Sequence, residues 1–397
     1  MTNWASRRIL VAALIIAFSA GCLLLVPALS RFAYNFCCVW SASATSKGTN
    51  LTCRSPARSG RVLNTDLSRL RCDLVNRMAG RIEVAKKYRI QQHKLFHTVN
   101  NNMLNGSSLR RFLTYQPVDG GLGNFMFQSA MLVGCARKND RIPVRITHDS
   151  RLELFEGMDI GFLNRSVLFP NNSRKAQTLG ELGPGKFSPD FHNVSSRFPD
   201  QAASLSGYGQ SWKYFHDASH EIRALLTFKE TIQQEAINAI LDGLSNLSRR
   251  GVLLNRMQPV HVGIHVRRGD IVSDADQVAH GHVAATEEYL LRMALRIQRR
   301  YPYAVFFVIS NDLDYCRRLF REPNFIFVDG NAAEVDMAIM TFMDVMVMSV
   351  GSYSWWSSYL SDAQEVFYFK DWPRNGSDFA EGVAAEDYFF PAWHGDN

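Results

Sequence analysis

An α/β protein built on a parallel sheet, tethered by an N-terminal membrane-spanning segment, is the fold class the sequence predicts. Three observations carry that prediction. From residue 251 onward short apolar strands alternate with amphipathic helices. A glycine-rich turn directly precedes an amphipathic helix at 120–140. Residues 9–29 are uncharged and apolar throughout. The chain has 397 residues, 46% hydrophobic and 20% charged, which is enough for two cores.

The first element is the apolar segment. Arg7 and Arg8 precede it, and about 20 apolar residues suffice to cross a bilayer. Basic residues stay on the cytoplasmic side, so residues 1–8 form a cytoplasmic tail, 9–29 a signal-anchor, and everything after it is luminal. Glycosylation acceptors fit that address, at Asn50, Asn105, Asn164, Asn171, Asn193, Asn246 and Asn375. Six of the seven cysteines follow the span, where disulfides are permitted.

Residues 30–112 read as a luminal stem. The net charge of +7 does not signal a nucleic-acid partner. Between 31 and 112 there are 15 Lys and Arg against three acidic residues, whereas 113–397 carries 27 basic against 34 acidic residues. The basic excess is thus a property of the stem, with no aromatic interleaving, and nucleic acid is excluded as a partner. Within the stem Thr65 is placed to cap a helix whose Leu67, Leu70, Leu74, Met78, Ile82 and Ala85 recur at three and four residues. That stripe either pairs two chains, giving a homodimer through the stem, or lies on the body.

The body starts near Phe112, with 113–250 forming an N-terminal, acceptor-side domain and 251–397 a second domain. In GGLGNFMFQSAML the free N–H groups of a helix start suit oxygen-rich ligands. Asn124 there is a candidate to contact substrate or to cap the helix. The region up to 250 shows short strand-like pieces and two helical patterns, 212–228 and 229–247.

Beyond it the strands at 260–266, 304–310, 324–328, 345–349 and 365–369 alternate with helices at 286–301, 312–320, 334–343 and 352–360. In such sheets ligands bind at the carboxyl ends of the strands. Those ends carry His265, Arg267 and Arg268; Ser310 and Asn311; Asp329 and Gly330; and Gly351 and Ser352. Along HVGIHVRRGD the period of two puts His265 and Arg267 on one face and Arg268 on the other. A guanidinium fork matches phosphate oxygens, and a Gly-Ser turn before a helix adds N–H groups of the same sign, so a diphosphate fits. Asp270 then holds one guanidinium in place.

VGIHVRRGD, FFVISNDLDYCR and VDMAIMTFMDVMVMSVGSYSWWSSYLS, together with GGLGNFMFQSAML, resemble the ordered blocks of the galactoside alpha-1,2-fucosyltransferases, over about residues 113 to 395. The resemblance implies a GT-B architecture, two Rossmann-like domains across a cleft, with the second holding GDP-fucose. It implies an inverting transfer of L-fucose from GDP-beta-L-fucose to the 2-hydroxyl of a beta-galactose-terminated glycan on glycoprotein or glycolipid, in the Golgi membrane. Carried over by position, Arg267 with Asp270 is catalytic, and His265, Arg267, Asp336, Gly351 and Ser352 bind the donor; Arg268, Ser310 and Asn311 join the donor-binding set from their place at the strand ends. This chain reads Gly351, Ser352, Tyr353, Ser354 where the family usually has Gly-Thr-Phe-Gly, and the larger residue at 354 crowds the sugar side.

As the sugar leaves, the nucleotide gains negative charge, and fixed donors stabilise that transition state. A divalent ion would serve the same purpose, and Asp274-Ala-Asp276 and Asp312-Leu-Asp314 are Asp-x-Asp pairs. The arginine chemistry favours a metal-free, cofactor-free reaction. No general base is assigned among Asp274, Asp276 and Glu287. Two other classes stay open: an inactive, glycan-binding membrane protein of this type, and a glycosyltransferase using another nucleotide sugar.

Overall fold

The computed structural model describes residues 62–100, 111–170, 177–252 and 259–397. The tail 1–8, the apolar segment 9–29 and the acceptors Asn50, Asn105 and Asn171 lie outside the described residues. Among the described residues no helix is long and apolar enough to cross a membrane. Asn164, Asn193, Asn246 and Asn375 are all exposed. Cys72 is disulfide-bonded, while Cys135 and Cys316 are buried free thiols.

Helix α1, Val62–Asn100, opens the described chain. It starts three residues before Thr65, so Thr65 lies inside the helix and does not cap it. Leu74, Met78, Ile82, Ala85 and Tyr88 are buried and belong, Ala85 aside, to the same core as the rest of the body. The opposite edge is fastened by charge: Arg81 NH2 donates to the Thr341 carbonyl at 2.9 Å, and Arg77 Nε to Asp362 Oδ2 at 3.0 Å. The stretch from 62 to 100, read above as stem, is therefore part of the body. Its apolar stripe is consumed within the chain, so of the two readings given above the one that lays the helix on the body describes it.

Strand β1, Phe112–Gln116, is followed by helix α2, Leu122–Lys138, then β2, Ile142–Arg145, β3, Gly161–Phe162, β4, Thr178–Gly180, and β5, Ala203–Ser206. These strands form one parallel sheet in the order β3-β2-β1-β5-β4. Both faces of a parallel sheet are covered, so its strands are continuously apolar; Phe112, Leu113 and Tyr115 are all buried. The pattern at 212–228 resolves into 3-10 turns and the seven-residue helix α3, Ser219–Leu225, while α4 runs Glu230–Arg249. Helix α1 packs on both.

The second sheet begins with β6, His261–Val266, and its elements follow in sequence: α5, Ala275–His280; α6, Glu287–Arg300; β7, Val305–Ser310; α7, Leu313–Leu319; β8, Phe325–Phe327; α8, Ala333–Met340; β9, Val345–Met348; α9, Gly351–Leu360; β10, Glu365–Phe369. A last strand, β11, His394–Asp396, pairs with β10. The order is β11-β10-β9-β6-β7-β8, all parallel. Thr286 caps α6 by accepting from the Tyr289 N–H at 3.1 Å. The strand ends of β6, β7 and β9 converge on one side.

Met78 is 1% exposed at the seam between α1 and the body. Met78→Ala is expected to lower the unfolding free energy by about 2–5 kcal/mol. Urea denaturation measures it, and a loss under about 0.5 kcal/mol, the scale of surface changes, would show that the seam is not packed.

Candidate active site

The site is built where β6 stops. His265, the fifth residue of that strand, is 7% exposed. Its Nδ1 lies 2.6 Å from the Ser354 hydroxyl, and its ring packs on Tyr353 with centroids 4.9 Å apart. Burial, with the neighbouring Arg267 cation second, pushes its pKa down to about 3. The imidazole is thus neutral and fixed by α9. The hydroxyl at position 354, where the resemblance leads one to expect glycine, supplies the partner of that ring.

Arg267 follows on the same side. Its backbone N–H donates to Ser349 Oγ at 2.9 Å, and its NH2 to Asp270 Oδ2 at 2.6 Å. The side chain is 35% exposed, and its Nε is buried with no hydrogen-bond partner among the described residues. Gly351 begins α9 with φ +86, and a Cβ there would stand 3.8 Å from Arg267 Cδ. The positive φ favours glycine, and its missing side chain keeps the helix start open beside the guanidinium. His282 joins this neighbourhood: burial lowers its pKa, with His280, Arg267 and Asp270 as further influences.

Arg268 points the other way, as strand parity requires. Its N–H donates to Asn311 Oδ1 at 2.9 Å, its Nε to Asp312 Oδ2 at 3.3 Å, and its guanidinium lies 3.7 Å from the centre of the Tyr315 ring. Ser310 Oγ accepts from the Asp312 N–H at 2.9 Å. Arg268, Ser310 and Asn311, grouped above with the donor site, are engaged in fixing the β6 and β7 ends. Asp270 was expected to hold one guanidinium; it holds that of Arg267.

Asn124 is not a helix cap. The cap position is Gly121, and Asn124 is the third residue of α2. Its Oδ1 accepts from the Ser352 hydroxyl at 2.6 Å and from Gln210 Nε2 at 3.0 Å. The start of α2 therefore meets the start of α9. Gly123 permits this, because a Cβ there would come within 2.6 Å of the Ser352 backbone. Gln210 had no signal in sequence, lying 86 residues from its partner. Ser349 and Tyr315 were missed for the same reason.

Asp336 stands beside Asn331, whose Nδ2 donates to it at 3.0 Å. Burial pushes its carboxyl up to about 6, against the Asn331 hydrogen bond and with Asp329 adding to it. The Asp-x-Asp pairs have local duties. Asp274 caps α5 through the N–H groups of Asp276 and Gln277. Asp312 caps α7, and Asp314 accepts from Arg317 at 3.0 Å. Among the described residues no group of three His, Cys, Asp or Glu side chains is placed to hold a metal ion.

A His265 with a depressed folded pKa fixes the direction of its pH effect. Below the ordinary value of 6.5 the unfolded chain takes a proton that the folded chain refuses until about pH 3. Stability from this group is therefore full above pH 6.5 and falls as pH drops. Between pH 6.5 and pH 5 the loss is about 2 kcal/mol. Urea unfolding at the two pH values should show a drop that much larger for the wild type than for His265→Gln. Ser354→Ala, leaving the ring nitrogen unpaired, is expected to cost about 1–3 kcal/mol by the same measurement at pH 7.

The model of glycosyl transferase family 11 matches residues 190–397. Galactoside alpha-(1,2)-fucosyltransferase 2 of Bos taurus is 30% identical over 285 residues, 70% of this chain and 76% of that protein. The Hylobates lar protein of the same name is 27% identical over 311 residues, 74% of this chain and 81% of its own. Among solved structures, a mutant of Arabidopsis thaliana FUT1 in complex with GDP superposes with a TM-score of 0.42 at 12% identity, covering 71% of this chain and 78% of that one. POFUT1 in its apo form gives 0.33 at 11% identity, covering 66% and 98%. With its family model spanning the whole second sheet and a relative 30% identical over 70% of this chain's length, the chain belongs to glycosyl transferase family 11, as an enzyme of the galactoside alpha-(1,2)-fucosyltransferase kind.

Proposed function

We propose that the chain transfers L-fucose from GDP-beta-L-fucose to the 2-hydroxyl of a beta-galactoside, inverting the anomeric centre, without a metal ion. The observation that carries this reading is Arg267: half-open, oriented by Asp270, and placed beside the glycine start of α9. Relatives named as galactoside alpha-(1,2)-fucosyltransferases support the donor and acceptor classes. The two parallel sheets support a GT-B arrangement, with the nucleotide on the second sheet and the acceptor on the first. The apolar segment 9–29 and the acceptor asparagines support a type II Golgi membrane protein.

In this reading Arg267 and the first N–H groups of α9 take the diphosphate oxygens. Negative charge grows there as the C1–O bond to phosphate breaks, so these donors bind the transition state more strongly than the ground state. Asp270 keeps the guanidinium fork in register, and neutral His265 adds no competing charge. Asp274 and Asp312 are occupied as helix caps and Asp314 by Arg317, which supports the metal-free form.

Incubation with GDP-fucose and a beta-galactoside, with and without EDTA, tests it. Product formed in EDTA is the expected result; product only with added metal, or only with another nucleotide sugar, would overturn the proposal. Arg267→Ala is expected to lower kcat about 10²- to 10³-fold, the scale of one lost transition-state donor, with urea unfolding unchanged within about 1 kcal/mol. Arg267→Lys should recover little, because an ammonium lacks the fork.

A further inference from the structure

The tie between the starts of α2 and α9 leaves polar atoms over. Asn124 Oδ1 takes both of its hydrogen bonds, from Ser352 Oγ and from Gln210 Nε2, whereas each amide has a donor end and an acceptor end. Asn124 Nδ2 and Gln210 Oε1 have no hydrogen-bond partner among the described residues, and neither is one of the buried unpaired atoms. Both therefore reach solvent. Turning the two amides over together would leave the same set, one free donor and one free acceptor. Glycine keeps this corner open: at Gly120, with φ +151, a Cβ would stand 2.2 Å from Asn124 Nδ2.

Gln210 is fixed from both sides. Before it, Glu181, the residue after β4, accepts from the Tyr208 and Gly209 N–H groups at 2.7 and 2.8 Å. Gly209 also lies against α2, where a Cβ would come 2.4 Å from Met131 Sδ. After it, the Ser211 N–H donates to the Gly209 carbonyl at 2.9 Å, and Ser211 Oγ to the Asp387 carbonyl at 2.7 Å. A side chain on so constrained a turn loses little freedom when it binds a ligand. The pair touches Ser352, the neighbour of Gly351, and so stands at the helix start that faces Arg267. Yet both of its members come from the first sheet, Asn124 from the helix after β1 and Gln210 from the loop after β5.

We propose that Gln210, together with Asn124, holds one hydroxyl of the acceptor galactose other than the one that receives fucose, and so helps to select the acceptor. A hydroxyl donates one hydrogen bond and accepts others, which is what one free amide oxygen and one free amide N–H answer. Neutral amides also suit a neutral ligand, leaving the charge that develops at the diphosphate to Arg267. The inference rests on the transfer reading above, in which the second sheet takes the donor and the first the acceptor.

The test needs no turnover. Ligand-observed NMR titration of methyl beta-galactoside into the full-length chain, with GDP present, gives its Kd. Gln210→Met keeps the length of the side chain and removes both polar ends, and should raise that Kd about three- to tenfold, the scale of one neutral hydrogen bond. Among the 3-, 4- and 6-deoxy analogues, one should bind more weakly than the parent sugar to the wild type by the same factor, and no more weakly than the parent to Gln210→Met, because both changes delete one hydrogen bond. Gln210→Glu retains an oxygen at the same reach and should keep the deoxy penalty. Equal galactoside affinity in wild type and Gln210→Met, deoxy penalties that simply add to that of the substitution, a loss that falls on GDP-fucose instead, or a penalty missing from Gln210→Glu as well, would each overturn the contact. Failure of the transfer reading looks different: galactoside binds, with the penalties intact, and no fucosylated product forms. A wild type that binds no galactoside overturns both.

Discussion

The close approach of two helix starts governs this molecule. Gly123 of α2 and Ser352 of α9 come so near that no Cβ fits between them, and Asn124 ties the contact by accepting from Ser352. One helix belongs to the first sheet and the other to the second, so the contact sets the register between the two halves. Behind it lies an aromatic layer in which Phe127 meets Trp355 at 4.6 Å and Trp356 at 5.0 Å, with Phe215 stacked on Trp356 at 5.6 Å. The Trp355 indole N–H donates to the Tyr388 carbonyl at 2.8 Å. Large, fully desolvated rings resist sliding because every small shift opens voids. Gly351 is consequently held where its bare backbone faces Arg267, and the site is positioned by packing some distance from the chemistry.

Helix α1 reinforces that arrangement from outside. Its apolar side lies on α3 and α4, and its arginines reach to the turn after α8 and to Asp362 after α9. Burial pushes the Asp362 carboxyl up, but Arg81 and Arg77 more than offset this and hold it below the usual carboxylate range. Arg77 and Arg81 also lie over the Phe342 ring, at 5.4 and 4.8 Å. A segment that composition marks as basic and stem-like thereby spends part of its charge on an internal bridge. Arg77 and Arg81 are thus committed to a carboxylate and carbonyls of the same chain, and the positive balance of residues 31–112 overstates what is available to a partner.

What was legible in sequence follows from element length. In the second half each strand except β8 and β11 has four to six residues, long enough for apolar runs to register, and helix caps such as Thr286 and Asp312 mark the boundaries. There the strand and helix positions read from sequence agree with the structure within a few residues. In the first half β3 has two residues and β4 three, too short for any periodicity, and the 212–228 pattern breaks at Phe215, which ends the 3-10 turn started by Ser211 and begins the next. The stripe on α1 was visible, but not the surface that covers it, since a buried stripe looks the same whether its partner is another chain or the rest of its own. The glycine turn before α2 was visible too, yet Gln210 was not, because hydrogen bonds across 86 residues leave no local trace.

The paired arginines show how far a local rule reaches. Period-two geometry assigns Arg267 and Arg268 to opposite faces, and the surroundings then decide what each can do. Arg268 meets Asp312, Asn311 and Tyr315, three partners supplied by β7 and α7, and is immobilised among them. Arg267 meets Asp270, three residues on, and beyond it the glycine-opened start of α9. One carboxylate per guanidinium neutralises both pairs on paper, but the Arg268 pair is capped by an aromatic face while the Arg267 pair keeps a buried Nε without a partner. An unsatisfied buried donor is costly at rest and strong when an anion arrives, because desolvation has already occurred.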